Sequence, residues 1–322
     1  MIEVAPHIWR IPIPLPRNPL RAVNSYVLKG QRRNLIIDTG MARPECRDAM
    51  RASLERLDID LSRTDLFITH LHADHLGLVT DLACPSSTVY FNRPEAETVL
   101  NYERFWESMH QAATSYGFTG SDLEEALARH PGSIYSPPEF PPFTLVSDSQ
   151  EIQVGPYRLR CIQTPGHSPG HMCLYEADHG ILFSGDHILG SITPNIAGWR
   201  MDLDALGDYL DSLKRTRRLE VELTLPGHRD VIEDLGGRIS ELERHHRDRL
   251  EEVLSILQNK DADAVTVASQ MTWDLNIEDW EQFPPVQKWF AVGEAIAHVE
   301  HLRRKGLVSR HATNGILVFE RR

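Results

Sequence analysis

Three histidines and one aspartate stand close together in the run Thr69-His70-Leu71-His72-Ala73-Asp74-His75, directly after an apolar stretch at 65–68. Imidazole nitrogens and carboxylate oxygens are the ligands that zinc and similar divalent metals accept in proteins. In an extended backbone, His70 and His72 would project to the same side. A solvated polar loop is the alternative interpretation, but this density of ligand-type side chains favours a metal site.

Three later segments each end an apolar, strand-like run with a ligand-type side chain in a tight turn. They are Thr164-Pro165-Gly166-His167, Phe183-Ser184-Gly185-Asp186 and Leu223-Thr224-Leu225-Pro226-Gly227-His228. Any one of them alone would be an ordinary turn. Because loops at strand ends carry chemistry on a rigid scaffold, the three segments together with the His-rich run predict a metal centre.

With these segments in this order, the chain resembles the metallo-β-lactamase fold superfamily, whose His-x-His-x-Asp-His motif is followed by a His, an Asp and a final His. The resemblance implies that His70, His72 and His167 bind one metal, that Asp74, His75 and His228 bind a second, and that Asp186 bridges them. It also implies that Asp38 orients the metal loop without binding metal. His171 is likewise expected not to bind metal directly.

The resemblance implies an α/β fold, a four-layered αβ/βα sandwich, and the strand pattern agrees with it. Short apolar runs from Ile8 to Asp38 predict an opening set of antiparallel strands, and a second set is predicted over 151–183. A helix is predicted from Glu45 to Leu57. We therefore assign residues 1–236 to one catalytic domain.

A segment of different character, at about 93–145, interrupts this domain. Large residues at helical spacing predict a helix over 94–106, and Ser121-Asp122-Leu123-Glu124 predicts a capping box for a second helix that Pro131 ends. An extra helical hairpin packed on the sandwich is one interpretation. The other is a lid with an apolar substrate pocket, walled by Tyr102, Phe105, Trp106, Met109 and Phe118.

Residues 237–322 follow the pair Gly236-Gly237, which we take as the domain boundary. Helices are predicted at 239–257, 265–271 and 286–305, followed by a hairpin around Thr313-Asn314-Gly315. This order resembles the winged-helix tail of a subset of the superfamily that includes an endoribonuclease. From Gly236 onward, however, 12 Lys and Arg face 14 Asp and Glu, so nucleic-acid binding is not expected. Packing on the catalytic domain, shaping its mouth or forming a homodimer are the expected roles.

The composition is that of a chain without a membrane segment. The N-terminal residues lack a basic region followed by an apolar one, and no stretch is apolar over the length of a bilayer, so a cytoplasmic location is expected. The four cysteines are scattered, which argues against a disulfide framework. The formal charge of −12 disfavours a long polyanionic partner.

The resemblance implies a hydrolase with two divalent metals, zinc first, although iron and manganese accept the same ligands. In such a site a bridging hydroxide attacks a carbonyl or phosphorus centre, and Asp74 and Asp186 are the carboxylates expected to take part. We expect a small-molecule ester, thioester or lactone as substrate. The alternatives are a metal-dependent endoribonuclease or other phosphodiesterase, and a non-catalytic signalling or binding protein on a hydrolase scaffold.

Overall fold

The first sheet carries the strand that leads into the His-rich loop. The computed structural model describes residues 1–274, 277 and 279–322. Seven strands cross this sheet in chain order: β1 (Ile2–Ala5), β2 (Ile8–Pro14), β3 (Ala22–Leu28), β4 (Asn34–Ile37), β5 (Thr64–Phe67), β6 (Val89–Asn92) and β7 (Phe143–Val146). Strands β1 to β4 pair antiparallel, as predicted, and β4 to β7 pair parallel. The His-rich loop leaves the carboxyl end of β5, all four residues of which are buried.

The second sheet delivers the later ligand-type residues. Its five strands lie in the order β12-β11-β10-β9-β8, with β8 (Glu151–Val154), β9 (Tyr157–Gln163), β10 (Met172–Glu176), β11 (Ile181–Gly185) and β12 (Leu223–Pro226). Strands β8 to β11 pair antiparallel, and β11 and β12 pair parallel. Strands β9, β11 and β12 therefore run in one direction, and the turns that follow them meet at one edge of the sheet.

Helices flank the two sheets and make up most of the insertion and the C-terminal region. They are α1 (Pro44–Arg56), α2 (Ala73–Leu76), α3 (Val79–Leu82), α4 (Arg93–Val99), α5 (Tyr102–Ser115), α6 (Gly120–Ala128), α7 (Pro131–Tyr135), α8 (Ala205–Thr216), α9 (Leu235–Ile256), α10 (Ala264–Gln270) and α11 (Pro285–Arg304), with 3₁₀ turns at Leu61–Arg63 and Trp280–Gln282. The helix predicted from Glu45 to Leu57 is α1.

Three separate cores show that the sandwich has four layers. Between the two sheets, residues such as Phe67 of β5 pack with Phe183 of β11. Helix α1 packs Met50 on the outer face of the first sheet. Helices α8 and α9 pack residues such as Tyr209 and Leu242 on the outer face of the second. Burial of apolar side chains on both faces of each sheet fixes the sandwich and the position of its strand ends.

The insertion is the crossover between the parallel strands β6 and β7, and it contains α4 to α7. Its aromatic stretch forms two helices, α4 and α5, rather than one. The predicted end at about 145 lies inside β7. The predicted capping box is wrong, because α6 begins at Gly120 with Thr119 as its N-cap and without a side-chain cap. Asp122 instead pairs with the buried Lys288 of α11 at 2.7 Å, so a tertiary contact fixes this turn.

The insertion shares a core with the C-terminal helices rather than packing only on the sandwich. Met109, Tyr116 and Phe118 lie in one cluster of buried side chains with Val292 and Ile296 of α11. The Tyr116 hydroxyl donates a hydrogen bond to the Glu300 carboxylate, at 3.0 Å. Apolar burial and paired charges therefore join two segments that lie far apart in the sequence.

The C-terminal region begins with a helix that runs across the predicted boundary. Gly236 and Gly237 lie in the first turn of α9, where the Asp234 carboxylate accepts a hydrogen bond from the Gly237 N–H at 2.8 Å. The helices predicted after this pair are present as α9, α10 and α11. The predicted hairpin is also present, in a third sheet ordered β13-β15-β14, with β13 (Ala262–Asp263), β14 (Val308–Thr313) and β15 (Ile316–Arg321). Among the described residues, no helix combines the length and the apolar character that a bilayer crossing requires.

Candidate metal centre and cavity

Asp38 holds the His-rich loop in place from the end of the neighbouring strand. It follows β4 directly, with a left-handed backbone (φ 58°) that aspartate tolerates better than most residues. Its carboxylate accepts hydrogen bonds from the Thr69 N–H at 2.8 Å and from His75 Nδ1 at 2.7 Å. The carboxylate thereby holds a proton of His75 on Nδ1 and points Nε2 at the centre of the cluster.

The ring nitrogens of His70, His72 and His167 converge on one point. The distances are 3.0 Å from His70 Nε2 to His72 Nδ1, 3.2 Å from His70 Nε2 to His167 Nε2, and 2.9 Å from His72 Nδ1 to His167 Nε2. Nδ1 of His167 donates to the Asn195 carbonyl oxygen at 2.8 Å, so Nε2 presents a lone pair. Burial lowers the pKa of His72 to about 3, which keeps its ring neutral. Neutral imidazoles in this arrangement are metal-ligand donors.

Asp74, His75 and His228 form a second group of converging donor atoms, within 4.8 Å of one another. His228 Nδ1 donates to the Ala22 carbonyl oxygen at 2.7 Å, and its Nε2 lies 3.3 Å from Asp74 Oδ2. Asp186 lies between the two groups. Its Oδ1 is 3.5 Å from His75 Nε2, and its Oδ2 is 3.6 Å from His167 Nε2 and 3.4 Å from His228 Nε2.

The converging atoms are imidazole nitrogens and carboxylate oxygens, which are the ligands that divalent metal ions bind. Within the described part of the chain, His75 Nε2, Asp186 Oδ1 and His228 Nε2 are buried without a hydrogen-bond partner. Buried polar atoms are normally satisfied, so these converging nitrogen and oxygen atoms fit the coordination of a cation. Burial lowers the pKa of His228, but Asp186 and Asp74 outweigh it and raise that pKa to about 10. A cation bound here would replace protons on these rings.

The structure places His171 behind the donor cluster rather than in it. The Asp186 backbone N–H donates to His171 Nε2 at 3.1 Å, and His171 Nδ1 lies 2.8 Å from the Thr164 hydroxyl. Both ring nitrogens are therefore engaged. The backbone comes close here because residue 185 is Gly: an added Cβ would lie 2.6 Å from His171 Nε2, and its φ of 48° favours glycine.

Sequence reasoning missed Glu95, a fully buried carboxylate that joins two ligand loops. One of its oxygens accepts from the Leu71 N–H at 2.8 Å, and the other accepts from the Gly170 N–H at 2.5 Å. Leu71 lies between His70 and His72, and Gly170 lies three residues after His167. In the sequence, Glu95 has only the appearance of an acidic residue in the first turn of a helix.

A cavity of about 710 Å³ opens over the donor cluster, with His72, Asp74, His167 and Asp186 in its floor. Four of the predicted pocket residues line it: Tyr102, Phe105, Trp106 and Met109. The fifth, Phe118, does not. The chain turns at Gly117 (φ 91°) after α5, so that Phe118 packs against Trp289 in the shared core, with ring centroids 6.2 Å apart.

The C-terminal region supplies the opposite wall of this cavity. Trp289, Phe290 and Glu294 of α11 line it, and Trp199 stacks on Trp289 with ring centroids 4.2 Å apart. The segment around Trp199 lies flush on α11 because residue 198 is Gly, where a Cβ would lie 2.5 Å from the Ala297 nitrogen. The cavity is thus enclosed by the insertion on one side and by α11 on the other.

Asn195, which sequence reasoning also missed, connects α11 to the donor cluster. Its carbonyl oxygen fixes His167, while its side-chain amide donates to the Glu294 carboxylate and to the Phe290 carbonyl oxygen, each at 3.3 Å. Burial raises the pKa of Glu294, and Arg249, 3.6 Å away, opposes that rise. The orientation of His167 therefore depends on contacts made by the C-terminal region.

A four-layered sandwich with these donors at one edge of its sheets is the architecture of a metallo-β-lactamase fold. The chain belongs to the Metallo-beta-lactamase superfamily: the superfamily's profile matches residues 18–228, which include every donor described above. The profile of the Metallo-beta-lactamase-like C-terminal domain matches residues 280–322. The predicted superfamily and fold class are confirmed.

Two solved structures resemble the whole chain. A metallo-beta-lactamase family protein from Thermus thermophilus has a TM-score of 0.83 and 27% identity, over 99% of this chain and 100% of that one. A Beta-lactamase domain protein from Burkholderia ambifaria has a TM-score of 0.84 and 25% identity, over 100% of this chain and 94% of that one.

Curated relatives resemble part of the chain. The Lactamase-like protein aptB of Emericella nidulans is 28% identical over 76% of this chain and 62% of its own length. The Atrochrysone carboxyl ACP thioesterase of the same organism is 27% identical over 74% of this chain and 60% of its own length. The matched part of the chain thus covers less than two thirds of either relative.

Proposed function

We propose that this protein is a metal-dependent hydrolase of thioesters, esters or lactones that carry an apolar acyl group. The observation that carries the proposal is the cluster of seven convergent donor side chains in the floor of an aromatic cavity of about 710 Å³. A cavity of this size suits a small molecule. The name of one relative, a thioesterase, supports thioesters as the first substrates to test.

The donor geometry favours two divalent metal ions, zinc before iron or manganese. Two such metals supply a hydroxide nucleophile near neutral pH and polarise a carbonyl oxygen. The chain's own contribution is to fix the donors. Asp38, the Ala22 carbonyl and the Asn195 carbonyl hold the outer nitrogens of His75, His228 and His167, so that the inner nitrogens need no reorientation.

The aromatic walls hold the acyl group and exclude water from the floor of the cavity. Tyr102, Phe105 and Trp106 are mutually packed, with ring centroids between 5.2 and 5.9 Å apart. Such a wall binds apolar substrate in the ground state and the transition state alike, which orients the reacting carbonyl over the donors.

A direct test removes metal from the purified protein, restores zinc, iron or manganese singly, and follows thiol release from acyl thioesters beside ester and lactone hydrolysis. We expect hydrolysis only after metal is restored, with two metal ions per chain by elemental analysis. Undiminished hydrolysis by metal-free protein, or inertness toward all three substrate classes with metal bound, would contradict the proposal.

Phe105→Ala is expected to raise KM for a thioester with a long or aromatic acyl group by about tenfold, and to change KM for an acetyl thioester little. Phe105 is half-buried and lines the cavity wall. Loss of its ring removes about 1.5 kcal/mol of binding free energy, which stabilises the bound substrate and the transition state equally. Steady-state kinetics on both substrates measure this. Equal effects on the two substrates would show a general packing role instead.

The C-terminal region is expected not to bind nucleic acid. Nonspecific binding depends on Lys and Arg that release condensed counterions, and from Gly236 onward basic residues number 12 against 14 acidic ones. A genuine nonspecific binder has a Kd of about 10⁻⁴ to 10⁻⁶ M at physiological salt. Titrations with short duplex DNA and single-stranded RNA should show no binding in this concentration range. Micromolar binding that weakens steeply with salt would instead favour the alternative function, a metal-dependent endoribonuclease.

A further inference from the structure

His130 lies where the two walls of the cavity meet. It precedes α7 and lines the cavity. Its ring centroid is 5.0 Å from that of Trp106 in the insertion, 5.5 Å from that of Phe290 and 6.0 Å from that of Trp289, both on α11. His130 is therefore a polar ring inside an aromatic box, to which the insertion and the C-terminal region both contribute.

The hydrogen-bond pattern fixes which ring nitrogen of His130 carries the proton. Nδ1 accepts a hydrogen bond from the Gly132 N–H at 3.0 Å, which caps α7. Burial lowers the pKa of His130 to about 4, so the ring is neutral at physiological pH and has a single proton. Because Nδ1 is the acceptor, that proton lies on Nε2.

The Nε2–H group has no hydrogen-bond acceptor among the residues that the structure describes. His130 is half-buried and lines the cavity, so a ligand bound there can supply the acceptor, in a hydrogen bond worth about 0.5–1.5 kcal/mol. The rings around it offer flat, apolar surfaces. A ligand that matches this box combines an aromatic surface with an acceptor oxygen.

We propose that His130 and the surrounding rings form a subsite for a neutral, planar aromatic group with an acceptor oxygen, which His130 Nε2–H binds. This inference rests on the proposed function, since it assigns the far end of the acyl group to the subsite. An ammonium group offers no lone pair to accept a hydrogen bond from this N–H. A carboxylate is disfavoured by Glu294 in the same wall.

The test compares two ligands of the same shape, 2-acetylnaphthalene and 2-isopropenylnaphthalene, only the first of which has an acceptor oxygen. Quenching of tryptophan fluorescence reports binding, because Trp106, Trp199 and Trp289 line the cavity. We expect the wild-type protein to bind the ketone about 3- to 10-fold more tightly than the alkene, as one net hydrogen bond predicts. In His130→Phe this preference should fall to about 1.

Two further variants separate the subsite from effects on folding. His130→Asn keeps an acceptor that can cap α7 but lacks the Nε2–H at the ring's position, so it should also lose the preference while unfolding near the wild-type temperature. Phe105→Leu should weaken both ligands equally and preserve their ratio. A wild-type ratio near 1, or a ratio that survives in both His130 variants, would overturn the inference.

Binding of these naphthalenes requires no hydrolysis, so the two proposals fail separately. If thioesters are not hydrolysed but the ketone preference depends on His130, the subsite stands and the proposed function is wrong. If thioesters are hydrolysed and the preference is absent, the subsite is wrong and the proposed function stands.

Discussion

Asp186→Asn is expected to lower hydrolysis by at least about 100-fold and to reduce the metal content below two ions per chain. The reason is geometric, since the two oxygens of Asp186 lie 3.4 to 3.6 Å from ring nitrogens of both donor groups. Loss of a residue that merely orients a ligand reduces metal affinity or activity about 10- to 100-fold, and loss of a shared donor should exceed that. Elemental analysis and thioester kinetics on the same preparation measure both effects.

Asp230→Asn is the matched control, because Asp230 is only two residues beyond His228 but its side chain is 97% exposed. This variant should keep full activity and metal content. Circular dichroism should show that Asp186→Asn remains folded. Wild-type rates in Asp186→Asn would show that the two donor groups do not act as one centre.

Glu95→Ala is expected to destabilise the protein by about 3 to 5 kcal/mol and to weaken metal binding. It leaves two buried N–H groups, of Leu71 and Gly170, without an acceptor, and each such group is unfavourable by about 1–3 kcal/mol. A small cavity adds to this. Because Leu71 adjoins His70 and Gly170 lies three residues after His167, the donor nitrogens should lose their alignment. Denaturant unfolding and a zinc titration against a competing chelator measure the two effects.

Glu95→Gln tests the electrostatic part of this contact. Burial raises the pKa of Glu95 to about 7 from an ordinary value of 4.5. The folded state therefore favours the protonated carboxyl, and this contribution is fully present below about pH 4.5 and is lost as the pH rises to about 7. Glutamine does not titrate. The unfolding free energy of metal-free wild type relative to metal-free Glu95→Gln should fall by on the order of 3 kcal/mol across that window.

Glu97→Gln serves as the control on the same helix, since its side chain is 65% exposed and pairs with Arg93 across one turn. It should show no such pH-dependent difference from wild type. The other titrating groups of the cluster are common to all the variants, so they cancel in the comparison. A flat difference for Glu95→Gln would mean that the carboxyl is already ionised at low pH.

The donor residues could be predicted from the sequence because each lies in a short motif at the end of an apolar strand. His70, His72 and His75 need only local spacing to be recognised, and pairing of β11 with β12 brings Asp186 and His228 together. Glu95 could not be predicted, since its partners are 24 and 75 residues away and a buried glutamate in a first helical turn has no distinguishing pattern.

Only one wall of the cavity could be predicted from the sequence, because the other wall depends on contacts between distant segments. Helical spacing of aromatic residues identified the wall from α5. The wall from α11 depends on a tertiary contact, because Trp289 and Phe290 reach the cavity only when the insertion and the C-terminal helices share their core. Phe118 was predicted in the pocket but lies in the shared core. The periodicity of apolar residues predicts which side chains are buried, but it cannot distinguish a core from a pocket.

The two walls of the cavity and its floor come from different stretches of the chain. The donor side chains lie on the loops and the short helix α2 that follow strand ends of the sandwich, whereas most of the aromatic rings lie on the insertion and on α11. Substitutions in these two helical segments can therefore diversify what the protein accepts without disturbing the reacting groups. Relatives can share the sandwich without sharing either wall. Homologues with the same chemistry can therefore differ in the substrates they accept, and substrates should be assigned by comparing these helices rather than the metal-binding motifs.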